Sequence, residues 1–377
     1  MKRMLTLILV LSLILLCGCG AQSEATEPST VQETQAPTEA PTEAPVQETE
    51  APTEAPTEAP TEAPTEPLVY TNPLTGETLD APLESRIFAV TINNISAALP
   101  HYGVSKADLF FEMFVNDSCT RGLALFADVA EVEAVGSVRS LRYNFTDICQ
   151  SFDAIVVHAS GSDAVLNDLH NTTVPNISVE SEIADYYFRD NNRLNNGYAW
   201  EHCLFVKGPD LKEYAASKGI SVTKPAGTTY GLNFTENGAP EDGEDANVVT
   251  INMIHGNTRK TSIMTYDPEI GQYTFKQYNR DVYDGWYDVR ESFENVIVLL
   301  CPVHNQQVKS TIYHIAELTG SGEGYFACDG KIIPILWSRE SDTSLFQFTR
   351  TDGTPLELGI GSSYISLAPL TSTVEYE

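Results

Sequence analysis

The sequence has few basic residues. Its 377 residues include 22 Lys and Arg against 52 Asp and Glu, which gives a formal net charge of −30. A protein that binds duplex nucleic acid needs a basic surface to displace counterions from the phosphates. A protein held on anionic lipid by charge alone needs a basic patch of the same kind. The composition argues against both classes, and we expect no nucleic-acid partner.

Short signatures of several enzyme classes are also missing. Neither a His-Glu-x-x-His zinc motif nor a Gly-x-Ser-x-Gly nucleophile turn occurs in the chain. The seven cysteines include no Cys-x-x-Cys pair, so neither a zinc ribbon nor a thioredoxin-like motif is indicated. We therefore expect no metal and no cofactor, and a protein that is not an enzyme is favoured.

The first nineteen residues have the organisation of an export signal. Lys2 and Arg3 precede an apolar stretch, residues 4–16, that is too short for a comfortable membrane-spanning helix. The stretch ends in Leu16-Cys17-Gly18-Cys19, which resembles the bacterial lipobox, and in that resemblance Cys19 carries the lipid. Each buried methylene of an acyl chain contributes about 0.8 kcal/mol to membrane binding. We predict an extracytoplasmic protein anchored to the outer face of the cytoplasmic membrane; the alternative is an ordinary secretory signal.

Residues 20–67 have the composition of an unfolded tether. They hold eleven Glu, nine Pro and no Lys or Arg, and Ala-Pro-Thr-Glu recurs along them. Apart from Val31 and Val46, the segment contains no large aliphatic or aromatic side chain, so it has nothing to bury. Regularly spaced prolines favour an extended chain that could reach on the order of 100 Å. The segment is predicted to be a spacer between the membrane and the folded part.

The folded part is predicted to be α+β, with a layered α/β domain at residues 68–240 and a mostly β domain at residues 241–377. Apolar strand patterns and helical spacings alternate in the first domain, which favours a layered structure. A polar, turn-rich stretch at residues 235–245 marks the boundary. The predicted strands of the first domain are 86–94, 108–115, 121–127 and 154–158, and its predicted helices are 137–152, 161–170 and 210–218. The predicted strands of the second domain are 248–254, 261–266, 272–278, 295–300, 311–317, 324–337, 345–349 and 363–367.

A series of motifs resembles a known family. The motifs are Asn72-Pro-Leu-Thr-Gly76, Thr91-Ile-Asn-Asn94, Ala107-Asp-Leu-Phe-Phe-Glu112, Gly136-Ser-Val-Arg-Ser140, Asp153-Ala-Ile-Val-Val-His-Ala159 and Phe188-Arg-Asp190. In this order they are similar to the YerB-like lipoproteins of Gram-positive bacteria, the DUF3048 family, over roughly residues 70–370. The resemblance implies a two-domain lipoprotein and no established reaction. The chain departs from the family at Glu201-His202-Cys203, where members carry Pro-His-Asn, and at Ala159-Ser160-Gly161, which replaces a glycine-rich turn.

Basic residues of the first domain are the candidate ligand-binding groups. Arg139 and Arg142 are three residues apart and are predicted to share one face of a helix over residues 137–152. Because the planar guanidinium donates two parallel hydrogen bonds, arginines suit carboxylate and phosphate ligands. The alternative is that Glu112, Asp128 or Asp147 neutralises these arginines. The full candidate set is Arg121, Arg139, Arg142, His158, Arg189, Arg193 and His202.

The sequence therefore favours a membrane-anchored binding module for a cell-wall polymer or an envelope protein. The alternative is a cell-wall hydrolase in which His158 and nearby acids act as general acid or base. A pair formed by Asp108 and Glu112 is a weaker catalytic possibility. Tyr283, Trp286 and Tyr287 flank Gly285, and these aromatic side chains either stack on sugars or pack against the first domain.

Overall fold

A computed structural model describes residues 69–116, 119–182 and 186–377. The signal segment with Cys19, and the tether at residues 20–67, lie outside the described residues, so both remain predictions. Within the described part of the chain, no helix combines the length and the apolar character needed to cross a membrane.

Strands outnumber helices along the described chain. The strands of the first part are β1 Tyr70–Thr71, β2 Thr78–Leu79, β3 Phe88–Asn93, β4 Leu109–Asn116, β5 Cys119–Phe126, β6 Val135–Gly136, β7 Ile155–His158, β8 Asn176–Ser178, β9 Tyr187–Arg189, β10 Leu204–Val206 and β11 Asn233–Thr235. The helices are α1 Tyr143–Ser151, α2 Asp163–His170, α3 Val179–Glu182, α4 Asn191–Asn195 and α5 Gly208–Ser217, with 3₁₀ turns at Ser96–Ala98, Val104–Lys106, Val129–Glu131 and Trp200–His202.

The remainder of the described chain is made of strands. They are β12 Glu244–Asp245, β13 Val248–His255, β14 Thr258–Asp267, β15 Gln272–Gln277, β16 Arg280–Asp281, β17 Tyr283–Asp284, β18 Val289–Arg290, β19 Ser292–Phe293, β20 Asn295–Cys301, β21 Val303–Val308, β22 Thr311–Ala316, β23 Gly320–Cys328, β24 Lys331–Arg339, β25 Gln347–Arg350, β26 Glu357–Gly359, β27 Ser363–Pro369 and β28 Thr373–Tyr376. The predicted β-rich second half is confirmed.

One large sheet joins strands from both halves of the sequence. Its central path runs β12-β24-β23-β20-β27-β4-β5-β3-β7-β8. Strand β27, near the end of the chain, lies between β4 and β20 and pairs with both in parallel. The sheet therefore continues across the predicted boundary at residue 240.

Both faces of this sheet are covered, and the side chains of its strands alternate between them. Phe88, Val90 and Ile92 of β3 belong to one apolar layer, which also contains residues of β13, β14 and β15 from a second, six-stranded sheet. Ala89 of the same strand belongs to the other layer, which contains residues of helices α1 and α2. Successive side chains of a strand point to opposite faces, so a run such as 109–115, which is apolar except for Glu112, indicates burial on both sides. The predicted α+β class is confirmed.

A buried ion pair lies where the two halves meet. Glu112 of β4 and Lys260 of β14 are 2.6 Å apart, with side-chain exposures of 0% and 2%. The Glu112 carboxylate also accepts hydrogen bonds from side chains of both halves; the donors are Asn94, Thr120, Ser262 and Tyr364. Burial alone raises the pKa of Glu112, but the Lys260 ammonium and these hydrogen bonds together lower it below its ordinary value.

The predicted helix over residues 137–152 is wrong in its first turn and a half. Helix α1 begins only at Tyr143, and residues 137–142 are extended. Their backbone groups bond to neighbouring segments instead of to one another: Asn93 donates to the Ser137 carbonyl, and Arg139 donates to the Thr91 carbonyl. Arg139 and Arg142 therefore do not share a helix face. The predicted helix over residues 161–170 is present as α2, which begins two residues later, at Asp163, with Ser162 as its cap.

Helix α1 is held in place by the second half of the chain. The Asn144 side chain makes two hydrogen bonds to the backbone of Ala316, of 2.7 and 2.9 Å. At the other end of the helix, the buried Arg339 donates to the Asp147 carbonyl and to the Ser151 hydroxyl. An arginine at the carboxyl end of a helix satisfies carbonyls that have no partner within the helix. The position of α1 is thus set by residues more than 170 positions away.

We predict that Glu112→Gln lowers the free energy of unfolding by about 3 to 5 kcal/mol, because it leaves the Lys260 ammonium buried without its counter-charge. Urea unfolding of the purified protein, followed by tryptophan fluorescence, measures the change. Asp245→Asn is the matched control, since it breaks the exposed pair that Asp245 forms with Lys331. The control is expected to cost less than about 1 kcal/mol, and equal losses in the two variants would contradict the prediction.

Candidate functional site

The extended segment 137–142 runs past the carboxyl ends of two parallel strands, β3 and β7. Arg139 donates its amide to Thr91 of β3 over 3.0 Å, and Leu141 donates to the carbonyl of Ser160, which follows β7, over 2.7 Å. Loops at the carboxyl ends of parallel strands are a common position for binding sites. The segment carries Arg139, Ser140 and Arg142 to this edge.

Arg121 of β5 meets these residues from the neighbouring strand. It pairs with Asn93 of β3 and is 5% exposed. Its Nη1 donates to the Ser140 carbonyl over 2.6 Å, and Nη1 of Arg142 lies 3.4 Å from the same oxygen. The two Nη1 atoms are therefore within about 6 Å of each other. We call Arg121, Arg139 and Arg142 the arginine cluster.

Ion pairs are absent from the arginine cluster in the described residues, although the charges of Arg139 and the Glu201 carboxyl interact at longer range. Other arginines of the chain, such as Arg86 and Arg350, lie against carboxylates, whereas none of the three forms an ion pair in residues 69–116, 119–182 or 186–377. Of the three acids that the sequence offered as partners, Glu112 pairs with Lys260 and Asp128 pairs with Lys212, while the arginine whose charge acts on Asp147 is Arg339.

Burial and mutual repulsion act on the cluster. Burial first, and then the charges of Arg142 and Arg139, lower the pKa of Arg121 well below its ordinary value. Burial likewise lowers the pKa of Arg142 to about 10. Two like charges about 6 Å apart repel by about 3 kcal/mol at an effective dielectric constant of about 20. A bound anion would relieve this repulsion, and the Nε atoms of all three arginines are buried without a hydrogen-bond partner.

Arg142 also marks the start of helix α1. It is the N-cap residue and its side chain makes no capping hydrogen bond, while its carbonyl accepts from the Phe145 amide. Its guanidinium donates to the Asn116 side chain and lies 5.4 Å from the centre of the Tyr313 ring, which comes from the second half of the chain. Unsatisfied amides at a helix N-terminus, together with the helix dipole, favour an anion there.

Two serines and His158 complete this edge. The hydroxyls of Ser140 and Ser160 are 3.3 Å apart, and Ser160 is exposed. His158 is 1% exposed, and its Nδ1 lies 3.1 Å from the Ser160 carbonyl. Because a carbonyl can only accept, Nδ1 is the donor. Burial lowers the pKa of His158, and the histidine holds the Ser160 loop through its hydrogen bond to the backbone.

His202 lies beside Arg139. Its Nδ1 is 2.9 Å from the Asn93 amide group. Burial lowers the pKa of His202, the neighbouring Glu201 raises it, and the charge of Arg139 lowers it again. The field of Arg139 also contributes to a lowered pKa of the exposed Glu201 carboxyl. His202 is therefore part of the electrostatic surroundings of the cluster.

The remaining two predicted site residues are bound within the protein. Arg193 is buried, donates to the carbonyls of Ala98, Pro100 and His202, and lies 4.4 Å from the centre of the Tyr102 ring. Arg189 pairs with an acid and stacks on a tryptophan, and its partners are Glu180 and Trp200. These contacts describe a structural role, although Arg193 supports the backbone of His202.

The candidate catalytic side chains are either buried or bonded to separate partners. Asp108 accepts hydrogen bonds from Asn72 and Ala127, while Glu112 lies in the network of Lys260, so the two acids have separate partners. Ser262 and Lys260 are hydrogen-bonded, as a serine nucleophile and its base would be, but both are buried. Burial also raises the pKa of Cys203, which keeps it a thiol.

Other candidate groups give no second site. Trp286 packs against Tyr102 and Phe188, and its Nε1 donates to Glu133 over 3.1 Å, so this aromatic residue of the second half contacts the first half. Among the residues that the structure describes, no three His, Cys, Asp or Glu side chains come together as they would around a metal ion.

Four members of the candidate site, Ser140, Ser160, Asn116 and Tyr313, were not among the seven predicted residues. Ser140 lies inside the motif Gly136-Ser-Val-Arg-Ser140, and its position between two arginines was a usable signal. Asn116 and Tyr313 gave no such signal, because Tyr313 reaches the site only through the pairing of β22 with β4.

We predict that Arg139→Gln raises the pKa of His202, because it removes a positive charge that now disfavours the protonated imidazole. NMR titration of the histidine ring protons between pH 4.5 and pH 8.5, on the order of the normal histidine range, measures the shift. Arg259→Gln removes the same charge from an exposed turn and is expected to leave the His202 titration unchanged. A His202 pKa that stays constant or falls in the Arg139 variant would contradict the placement of Arg139.

Models of a known protein family match two regions of this chain. The model described as "Protein of unknown function (DUF3048) N-terminal domain" matches residues 74–221, and the corresponding C-terminal domain matches residues 249–365. The chain is 27% identical over 311 residues to YerB of Bacillus subtilis (strain 168), whose name assigns it to the lipoproteins; the match covers 79% of this chain and 86% of that protein.

A crystal structure of the YerB protein from Bacillus subtilis has the same fold. The TM-score is 0.69 at 22% sequence identity, and the match covers 81% of this chain and 99% of that chain. With both domain models matched in order and the fold shared, the chain belongs to the DUF3048 family of proteins of unknown function.

Proposed function

We propose that this protein is a membrane-anchored, extracytoplasmic recognition module that binds an anionic ligand at the arginine cluster. The observation that carries the proposal is the convergence of Arg121, Arg139 and Arg142 without an acidic partner among the described residues. In a chain with a net charge of −30, acids are available to neutralise arginines. A buried charge without a partner is costly for folding, so its presence at a solvent-accessible edge favours a ligand as the missing counter-charge.

The lipid anchor is the second part of the proposal. The lipobox-like sequence Leu16-Cys17-Gly18-Cys19 supports it, and so does the similarity to a protein whose name assigns it to the lipoproteins. A lipid on Cys19 and a tether over residues 20–67 would hold the arginine cluster outside the cytoplasmic membrane, within reach of the cell wall. The ligand is then a component of the wall or an acidic segment of an envelope protein.

A binding role is favoured over hydrolysis by the surroundings of His158. This side chain is 1% exposed and contacts Ser160 and Asn176. A general acid or base has to reach the substrate directly or through one water, which a buried histidine used to hold a loop does not do. Arg139, Ser140 and Ser160 of the same edge are partly or fully exposed and carry hydrogen-bond donors, as a binding site for an anion requires.

We predict that the purified protein retains a defined wall fragment or envelope protein, and that Arg139→Gln with Arg142→Gln reduces retention about tenfold or more, since each removes a charge-assisted hydrogen bond. Immobilised protein is incubated with purified wall fragments or with detergent-extracted envelope proteins. The matched control is Arg259→Gln with Arg280→Gln, which removes two exposed arginines whose contacts are carbonyls and Ser96. Equal retention by both double variants would overturn the anion site, and shortened wall fragments without a complex would favour hydrolysis.

We also predict that Cys19 carries the anchor. Cys19→Ser is expected to move most of the protein from the membrane fraction to the soluble fraction, because the acyl chains contribute about 0.8 kcal/mol per buried methylene. Fractionation and mass spectrometry of the mature N-terminus measure this. Cys17→Ser is the control and is expected to remain anchored; release by Cys17→Ser instead would assign the lipid to Cys17.

A further inference from the structure

The charges of the arginine cluster indicate which kind of anion the site binds. Arg121 is 5% exposed, and its Nε has no hydrogen-bond partner. Arg139 makes no side-chain hydrogen bond or ion pair to the described part of the chain, and Arg142 uses its Nη atoms on carbonyls and on Asn116. A single carboxylate carries one negative charge and would leave most of this positive charge uncompensated.

The donors around the cluster also come from more than one direction. Helix α1, of nine residues, begins at Tyr143 without a side-chain cap, directly after Arg142. On the other side, the hydroxyls of Ser140 and Ser160 are 3.3 Å apart. Carboxylate oxygens lie in one plane and suit one two-pronged donor, whereas the oxygens of a phosphate point in several directions. Guanidinium groups, helix amides and serine hydroxyls are the donors that phosphate sites combine.

We propose that the ligand of this site is a phosphate group with two negative charges, held between the arginine cluster, the first amides of α1 and the hydroxyls of Ser140 and Ser160. This inference rests on the proposed function, since it names the ligand of the same site. A terminal phosphate ester of a soluble or wall-borne molecule and the head group of a phosphate monoester lipid share this chemistry.

Calorimetric titration of the purified full chain carrying Cys19→Ser tests the inference, because this variant removes the predicted anchor. The probes at pH 7.5 are inorganic phosphate, glycerol phosphate as a monoester, and succinate as a dianion whose two charges are separated. Binding of both phosphates, with succinate at least about tenfold weaker, is expected from the number of charge-assisted hydrogen bonds at one centre. Vesicles of phosphatidylcholine with and without phosphatidic acid then distinguish a lipid head group from a soluble ester.

Paired variants assign the binding to this site. Arg139→Gln with Arg142→Gln is expected to weaken phosphate binding about tenfold or more, while Arg259→Gln with Arg280→Gln leaves it unchanged. Because both arginines of the first pair are half-buried, Arg139→Lys with Arg142→Lys is a second test: it keeps the charge, loses the planar fork, and is expected to bind with intermediate affinity.

The outcomes separate this inference from the proposed function. Succinate or an oligoglutamate peptide that binds as tightly as phosphate, and is lost in the Arg139 and Arg142 double variant, would overturn the phosphate ligand and leave an anion site in place. Absence of binding by every anion would overturn both. Phosphate binding that survives the double variant would place the phosphate elsewhere and overturn the site.

Discussion

Strand β27 is the element on which the arrangement of this protein depends. It lies between β4 and β20 and pairs with both in parallel. Residues 363–369, near the end of the chain, therefore join the strand of residues 109–116 to the strands of the second half. Parallel neighbours need long connections, and here the connection between β4 and β27 includes most of the folded chain. The ion pair of Glu112 with Lys260 forms at the same junction, and its partners come from both halves. Neither half can satisfy these buried polar groups by itself, which favours folding of the two as one unit.

The same junction places the candidate site. Helix α1 is fixed near its N-terminus by the bonds of Asn144 to Ala316 and near its C-terminus by Arg339, so its N-terminus has a defined position. Arg142 reaches the Tyr313 ring of β22 from there. The rest of the molecule thus provides the stability that allows three arginines to remain close together without acidic partners among the described residues. Unfavourable electrostatic energies of this kind are typical of functional sites, where a bound ligand supplies the missing counter-charge.

Much of the fold could be predicted from local patterns. Alternating and continuous apolar runs predicted the long strands, but the predicted strand over residues 324–337 is wrong at Asp329-Gly330, where a turn with positive φ at both residues separates β23 from β24. The helix over residues 137–152 failed because the apolar spacing of Val138 and Leu141 also fits an extended segment buried against β3. The seven candidate residues were chosen by type and motif, and that choice could not separate Arg121, Arg139 and Arg142 from Arg189 and Arg193, which are partnered inside the protein.

The sequence by itself determined the composition-dependent properties: a net charge of −30, a lipobox-like start, a segment over residues 20–67 whose only large aliphatic side chains are Val31 and Val46, and an α+β fold with a β-rich second half. Those properties follow from short segments, because periodicity and composition act over a few residues. Only the tertiary structure decided which charges are neutralised. Glu112 meets Lys260 across 148 positions, and Arg142 meets Tyr313 across the paired halves, while Asp128 pairs with Lys212 and not with an arginine of the cluster. Whether two charges pair depends on their distance in space and on their burial, and the spacing of residues along the sequence gives neither.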